Sequence, residues 1–349
     1  IIKSNMCGIL GLYSNNKIDK RIFHNALATI KYRGPDETKK IHYENFSLGF
    51  NRLSIIGVNN ELSSQPIENK DYIISFNGEI FNYKELAKKL NLNFNESSSD
   101  SYILSKLIQK YGEIEFVKYL DGMFAITIFV KKTNKIYLYR DRIGERNIFY
   151  SLSNCNFAFA SEIKPLLKLK IFKKEINFKN IQEYFYHGMI FENGETFFKN
   201  IFQVDPGSYI SIDCNSFKIR KCDYYRIDEK LNPKAKMQTQ IDKSLFSRLI
   251  SDVKIGILLS GGLDSSYMLS RLIKKYLKKV NVFTAGNKSK KNDESIQAKE
   301  TIKFLKNKHP NKNIKHKIFN LANNSVSEQL SRLSKYYDQP IHLSMSPLL

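Results

Sequence analysis

The sequence has no hydrophobic run that approaches the roughly 18 apolar residues of a membrane-spanning helix, so we expect no membrane contact. It also has only four cysteines among 349 residues, and they lack the close spacing of a metal site. So few thiols in a chain of this length argue against a disulfide scaffold and indicate a reducing compartment, which we take to be the cytoplasm. These cysteines are Cys7, Cys155, Cys214 and Cys222.

Acidic residues are scarce as well. There are 34 Asp and Glu against 56 Lys and Arg, which gives a formal net charge of +22. Such an excess suggests nucleic-acid binding, because phosphate contacts depend on clustered basic residues. Here the lysines are mixed with Asn and Ile throughout, as in residues 288–291 and 306–317, and no aromatic-interleaved basic motif occurs. We interpret the charge as solvated surface and expect no nucleic-acid partner, with a basic binding patch as the alternative.

The length allows two domains, and the pattern changes once along the chain. Up to Ile227 short strand-like segments alternate with Gly, Asn and Asp turns; after a polar stretch, strands alternate with long helices. We therefore predict an upstream extension (1–6), an α+β domain (7–227), a linker (228–240) and an α/β domain (241–349).

The elements predicted in the first domain indicate antiparallel sheets with two helices. They are strands at 71–76, 124–130, 135–140 and 157–161, and helices at 83–90 and 100–111. In the second domain, strands that alternate with helices imply right-handed crossovers and a parallel sheet. There we predict strands at 253–259, 282–285 and 314–319, and helices at 265–279, 293–306 and 326–337.

Cys7 stands directly behind Met6 in the string MCGILG. If the chain starts at that methionine and loses it, Cys7 becomes the first residue, and its free α-amine can accept the proton of its own thiol near neutral pH. In the sequence as written the nitrogen of Cys7 is an amide without basicity. We expect residues 1–5 to be translated sequence upstream of the true start, and the working protein to begin at Cys7. The alternative is a small buried cysteine at the start of a strand.

A second site is predicted where the first parallel strand meets its helix, at ILLSGGLDSS (257–266). Gly261 and Gly262 let the backbone approach an anion, and the amides at the start of the next helix favour phosphate. The string lacks the GK[ST] ending of a Walker loop. Asp264 can bind magnesium beside the phosphates or cap the helix, and the pattern leaves both open.

With both sites in view, the chain resembles the glutamine-hydrolysing asparagine synthetases. In that family a class II glutamine amidotransferase domain of the N-terminal-nucleophile type, an αββα sandwich, precedes a PP-loop ATP-pyrophosphatase domain with a parallel sheet. Ten motifs occur in the family's order: MCGI, YRGPD (32–36), RLSI (52–55), NGEIFNYKEL (77–86), SSD (98–100), DGMFA (121–125), RDRIG (140–144), ASEIK (160–164), DPGSY (205–209) and SGGLDSS (260–266).

The resemblance implies a glutaminase centre. Cys7 would attack the glutamine amide, and Asn77 with the Gly78 amide would stabilise the oxyanion. Arg52 would pair with the α-carboxylate of the substrate and Asp100 with its α-ammonium group. Taken singly, these residues also suit a surface ion pair, a turn or a helix cap. The implied glutamine-binding set is Arg52, Leu53, Ser54, Ile55, Ile56, Asn77, Gly78, Glu79 and Asp100.

The resemblance also implies an ATP site and a carbon–nitrogen ligase reaction. Aspartate would be adenylated at its side chain to β-aspartyl-AMP, and ammonia from glutamine would displace AMP. Mg²⁺ is expected at Asp264, and a homodimer is compatible with the family. Amidation of another carboxylate, such as a sugar acid of a surface polysaccharide, is the alternative, and a PP-loop enzyme acting on nucleic acid is a third. The implied ATP-binding set is Leu258, Ser260, Gly261, Gly262, Asp264, Ser265, Ala285 and Gly286.

The chain departs from the family pattern at a few positions. Tyr32 replaces a His often seen before RGPD, Asn147 replaces a Pro after RDRIG, and Tyr102 stands where a Glu commonly follows the SD pair. The sequence also stops at Leu349, before the second glycine- and aspartate-rich motif of the family. We therefore expect the acceptor pocket to lie beyond Leu349, and this stretch to hydrolyse glutamine without synthesising a product.

Overall fold

A computed structural model describes residues 6–93, 98–190, 194–227, 236–275, 278–286, 293–320, 331, 334 and 336–340. The chain divides into two compact units. The N-terminal unit contains residues 3–229 together with Asp338–Pro340, and the C-terminal unit contains the remaining residues. Across these ranges no helix is long and apolar enough to cross a membrane.

The N-terminal unit contains two six-stranded antiparallel sheets. In chain order the strands are β1 (Gly8–Ser14), β2 (Glu37–His42), β3 (Phe46–Arg52), β4 (Ile67–Glu68), β5 (Tyr72–Ile80), β6 (Gly122–Val130), β7 (Lys135–Arg140), β8 (Phe149–Ser153), β9 (Asn156–Ala160), β10 (Ile201–Gln203), β11 (Ser208–Asp213) and β12 (Lys218–Asp223). The first sheet has the order β10-β8-β9-β1-β3-β2, and the second has the order β12-β11-β7-β6-β5-β4.

Helices cover the outer faces of both sheets. They are α1 (Lys20–Ala28), α2 (Tyr83–Lys89), α3 (Asp100–Glu115) and α4 (Ile163–Lys168), and α5 (Phe178–His187) follows them in the chain. Helices α1 and α4 share an apolar core with the first sheet, while α3 packs against β5 of the second sheet and against α2. The four layers form an αββα sandwich, so the predicted fold of this domain is confirmed.

Strand β1 shows why the first sheet is apolar on both faces. Side chains alternate across a strand, so Ile9 and Tyr13 point into the core between the two sheets, while Leu10 and Leu12 point into the core shared with α1 and α4. All seven residues of the strand are buried. The strand that directly follows Cys7 is therefore held from both sides.

The C-terminal unit contains a parallel sheet in the order β13-β14-β15, as the alternation of strands and helices predicts. Leu259, Leu269 and Val282 belong to its buried apolar core, together with residues of the flanking helices. The elements are α6 (Met237–Ser247), β13 (Gly256–Leu258), α7 (Leu263–Lys275), β14 (Lys279–Gly286), α8 (Ser295–Lys308) and β15 (Asn313–Asn320).

Several predicted boundaries need correction. The expected linker 228–240 is partly helical, because α6 begins at Met237. Its Asp242 accepts hydrogen bonds from Arg271 and Lys275 of α7, a tertiary contact that the local sequence pattern does not reveal. The first parallel strand is three residues long rather than seven, and residue 279, predicted as the end of a helix, starts β14. Most of the predicted helix 326–337 lies outside the described residues.

Candidate active site

Cys7 directly precedes β1 and lies beside the segment that follows β3. Its Sγ accepts a hydrogen bond from the Leu53 amide at 3.3 Å and lies 3.6 Å from the Leu53 carbonyl oxygen. Burial raises the pKa of the Cys7 thiol to about 11. The resting thiol is therefore neutral at physiological pH, and a nucleophilic role requires a base that takes its proton during attack.

The backbone of Cys7 is fixed by a buried arginine. The Nε of Arg33 donates to the Cys7 carbonyl oxygen at 3.0 Å, and its Nη1 donates to Glu162 at 2.6 Å. Both side chains of this ion pair are 9% exposed. The arginine belongs to the YRGPD motif and the glutamate to ASEIK, so these two motifs meet behind the predicted nucleophile.

Asn77 and Gly78 lie side by side in β5, as the oxyanion prediction requires. Asn77 is buried, and its Nδ2 has no hydrogen-bond partner among the residues that the structure describes. Gly78 has a φ of +153°, and a Cβ placed there would lie 2.0 Å from the Met123 carbonyl oxygen. Only glycine fits this position. An unpaired amide donor in a buried site is the type of group that stabilises a developing negative charge.

Two buried groups of opposite charge suit the recognition of an amino acid. Arg52 ends β3, and its Nη2 donates to the carbonyl oxygens of Gly57 at 2.8 Å and Ile56 at 3.3 Å. Asp100 is the first residue of α3. Asp100 accepts from the amides of Ser101 at 2.8 Å and Ile80 at 3.4 Å, yet burial raises its pKa to about 7. Such a carboxyl group gains most from a cation that enters the site.

These groups converge on one narrow cavity of about 70 Å³ in the N-terminal unit. Of the predicted glutaminase residues, all except Ser54 line it; the Ser54 amide instead donates to Asp36 at 2.8 Å. Met6 also lines the cavity and so occupies space next to the thiol. The lining residues are Met6, Cys7, Arg52, Leu53, Ile55, Ile56, Ser63, Gln65, Phe76, Asn77, Gly78, Glu79, Asp100, Ser101 and Arg146.

Gln65 and Arg146 are lining residues that sequence reasoning missed. The Gln65 side chain accepts from the Phe76 amide at 2.6 Å and so supports the strand that carries Asn77. Arg146 lies two residues beyond the RDRIG motif, which was the available signal. Burial lowers the pKa of the Arg146 guanidinium and raises that of Glu79, and their opposite charges partly offset both shifts.

The predicted phosphate loop joins β13 to α7. Gly261 has a φ of +84°, and a Cβ there would lie 2.7 Å from the Ala298 amide nitrogen, so the loop packs tightly against α8. At Gly262 a Cβ would meet only the Ser260 hydroxyl, at 3.3 Å. The Ser260 and Ser265 hydroxyls lie 3.1 Å apart. The loop thus has the close-packed glycine turn and hydroxyl groups that favour a bound phosphate.

The remaining predicted ATP residues fit the same edge of the parallel sheet. Leu258 ends β13, and Ala285 with Gly286 ends β14, which is its direct neighbour. Asp264 is exposed in the first turn of α7. Within the described ranges no group of three or more His, Cys, Asp or Glu residues could hold a metal ion. Mg²⁺ usually binds through one or two carboxylates plus substrate phosphates, and a single Asp264 suits that mode.

Comparisons with known proteins match the two parts of the chain to two different domain families. Residues 6–225 match the model of a glutamine amidotransferase domain, and residues 236–349 match that of asparagine synthase. A Methanocaldococcus jannaschii protein named asparagine synthetase (glutamine-hydrolysing) 2 is 32% identical over 366 residues, which cover 96% of this chain and 68% of the relative. Asparagine synthetase 2 of Bacillus subtilis is 31% identical over 75% of this chain and 38% of its own length. Asparagine synthetase 1 of B. subtilis is 31% identical, over 86% of this chain and 49% of its own length.

The chain thus spans about two thirds of the archaeal relative and less than half of each Bacillus relative. Among solved structures, glutamine phosphoribosylpyrophosphate amidotransferase from B. subtilis, complexed with ADP and GMP, aligns with 98% of this chain and 92% of its own. That alignment has a TM-score of 0.46 and 13% sequence identity.

Proposed function

Because the chain belongs to the family of glutamine-hydrolysing asparagine synthetases, we propose that it takes part in the ATP-dependent synthesis of asparagine from aspartate, with glutamine as the nitrogen donor. The observation that carries the proposal is the convergence of the Cys7 thiol, the unpaired Asn77 amide, Arg52 and Asp100 on one cavity. Together these groups supply a nucleophile, an oxyanion donor and one partner for each charge of an amino acid.

The active form begins at Cys7. With Met6 in place the nitrogen of Cys7 is an amide, and the methionine lines the cavity that glutamine would enter. Removal of residues 1–6 clears that space and gives Cys7 a free α-amine, whose ordinary pKa of about 7.7–8.0 suits a general base. In this form the α-amine takes the thiol proton while the sulfur attacks.

Glutamine hydrolysis then follows in two steps. The Cys7 sulfur bonds to the amide carbon, and the carbonyl oxygen becomes an oxyanion that accepts from Asn77 Nδ2 and the Gly78 amide. When the tetrahedral intermediate collapses, the carbon–nitrogen bond breaks, ammonia leaves with the proton held by the α-amine, and a γ-glutamyl thioester remains. Water hydrolyses this thioester to glutamate and restores the thiol.

Arg52 and Asp100 orient the substrate. The guanidinium pairs with the α-carboxylate and the carboxylate of Asp100 pairs with the α-ammonium group, which directs the side-chain amide towards Cys7. Glu79, which lines the same cavity, adds a second carboxylate for the ammonium group. Because Asp100 has a pKa of about 7 in the free enzyme, glutamine binding should weaken as the pH falls below 7.

In the C-terminal unit, the loop between β13 and α7 binds the phosphates of ATP, and the ends of β13 and β14 border the nucleotide. Asp264 is the residue placed to hold Mg²⁺, which supplies positive charge against the phosphates when it is bound. The aspartate side chain attacks the α-phosphorus, pyrophosphate leaves, and ammonia displaces AMP from β-aspartyl-AMP. Ammonia released into water would be protonated and lose its nucleophilicity, which is the reason to join both activities in one chain.

The proposal is tested by following the nitrogen atom. The protein is expressed from Met6 through the stop codon of its reading frame and given amide-¹⁵N-glutamine, aspartate and Mg-ATP, with Cys7→Ala in parallel. We expect ¹⁵N-asparagine and AMP from the wild type, and asparagine from the variant only when free ammonia is added. Glutamate and ammonia without asparagine would reject aspartate as the acceptor and favour a different carboxylate.

A further inference from the structure

Three residues from late in the sequence lie in the N-terminal unit. Asp338–Pro340 belong to the region that matches asparagine synthase, yet they contact the glutaminase part of the chain. The Oδ2 of Asp338 accepts from the amides of Ile163 at 2.6 Å and Lys164 at 3.0 Å. The next residue, Gln339, accepts from the Phe197 amide at 3.0 Å. These are specific contacts made by a segment about 175 residues downstream of α4.

Asp338 acts as the cap of α4. Glu162 is the N-cap residue of that helix, but its side chain makes no capping hydrogen bond. The first amides of a helix lack partners within the helix and need an acceptor. Asp338 supplies that acceptor from a distant part of the chain, and this frees the Glu162 side chain for other contacts.

The freed Glu162 carboxylate accepts from a set of donors behind the nucleophile. It accepts from Arg33 at 2.6 Å, from the Tyr32 hydroxyl at 2.6 and 2.7 Å and from Lys164 at 2.8 Å. Arg33 in turn donates to the Cys7 carbonyl oxygen. Lys164 Nζ also lies 3.5 Å from Asp338, so this lysine connects the two carboxylates.

We propose that Asp338 is a positioning residue for glutamine hydrolysis. It fixes the backbone next to Glu162, the Glu162 carboxylate orients Arg33, and Arg33 holds the Cys7 carbonyl oxygen. The inference rests on the proposed glutaminase function. Asp338 does not line the substrate cavity, and its effect passes through Glu162 and Arg33. Full glutaminase activity therefore depends on a residue from the region of the sequence that matches asparagine synthase.

The test is a double-mutant cycle on glutaminase turnover in the protein expressed from Met6. The variants are Asp338→Ala, Glu162→Gln and the two combined. Glu175→Ala serves as the control, because the Glu175 side chain forms an exposed ion pair with Lys199 and does not line the cavity. We expect Asp338→Ala to lower kcat about tenfold, since a small displacement of a reacting group is costly. The KM for glutamine should change less than about twofold, because Arg52 and Asp100 stay in place.

If Asp338 acts through Glu162, the double variant should be no slower than the slower single variant. Asp338→Asn keeps an acceptor oxygen for the two amides and should recover most of the rate. If the alanine variant does not fold, Asp338→Ser, whose shorter side chain does not reach both amides, takes its place in the cycle. Independent, multiplicative losses in kcat, or an unchanged kcat, would overturn the inference. A wild-type protein without glutaminase activity would instead overturn the proposed function, and this inference with it.

Discussion

Replacement of Asn77 by alanine should separate catalysis from stability. Truncation of a buried asparagine whose hydrogen bonds are satisfied normally lowers the free energy of unfolding by about 1–3 kcal/mol, because its partners are left unpaired. In this protein the Nδ2 donor of Asn77 is itself unpaired among the described residues, so no partner is left behind. We expect the free energy of unfolding to change by less than about 1 kcal/mol, because the relief of a buried unpaired donor offsets the lost packing.

The catalytic loss should be large by comparison. Removal of one oxyanion donor typically lowers kcat by about 100- to 1000-fold, or about 2.7–4 kcal/mol of transition-state stabilisation. The KM for glutamine should stay within about threefold, because the donor binds an oxyanion that forms only during the reaction. Steady-state glutamate formation gives kcat and KM, and urea unfolding gives the stability of the same preparations.

Ser75→Ala is the matched control for this prediction. Ser75 lies two residues earlier on β5, and its buried hydroxyl is likewise without a partner in the described part of the chain, but it does not line the cavity. Its removal should raise the free energy of unfolding by about 1 kcal/mol and leave kcat unchanged. Equal losses of activity in both variants, or an Asn77→Ala enzyme within threefold of wild-type kcat, would refute the oxyanion assignment.

Further predictions concern pH and the phosphate loop. Burial raises the pKa of Asp100 from 3.8 to about 7, so the native state binds this proton more tightly than the unfolded state. The free energy of unfolding should therefore fall by about 3 kcal/mol as the pH rises from 4 to 7. Urea titrations should show this slope in the wild type and not in Asp100→Asn; an identical slope in both would reject the shift. Gly261→Ala places a Cβ 2.7 Å from the Ala298 amide nitrogen, and we expect it to weaken ATP binding at least tenfold, as measured by calorimetry. Gly262→Ala places its Cβ 3.3 Å from the nearest atom and should weaken ATP binding less. The reverse order would contradict the geometry of the loop.

The sequence predicted those parts of the site that depend on local motifs. Cys7, Asn77 and Asp100 come from three separate segments, and the resemblance of their motifs to those of a known family was the reason to expect them at one site. Asn77 and Gly78 needed no long-range information, because adjacency in a strand places them together. The parallel sheet was likewise predictable, since the alternation of strands and helices leaves few other arrangements.

Contacts between distant segments were not predictable in this way. The capping of α4 by Asp338 joins residues about 175 positions apart, and a helix of six residues gives no periodic signal of its own. Only the start of helix α6 falls in the predicted linker 228–240, whose sequence is polar. The burial of Asp242 in this helix is explained by its partners on α7. Arg146 reaches the cavity only through the folded loop after β7. Tertiary contacts decide each of these positions, and a single sequence contains no record of them.

The most direct test of the account is to trap the covalent intermediate at Cys7. Protein that begins at Cys7 and protein that retains Met6 are each mixed with glutamine, quenched in acid within one turnover and digested for mass spectrometry. We predict a γ-glutamyl group on the peptide that contains Cys7 in the first preparation and none in the second. An adduct on another residue, or equal turnover by the protein that retains Met6, would contradict the assignment of Cys7 and its α-amine as nucleophile and base.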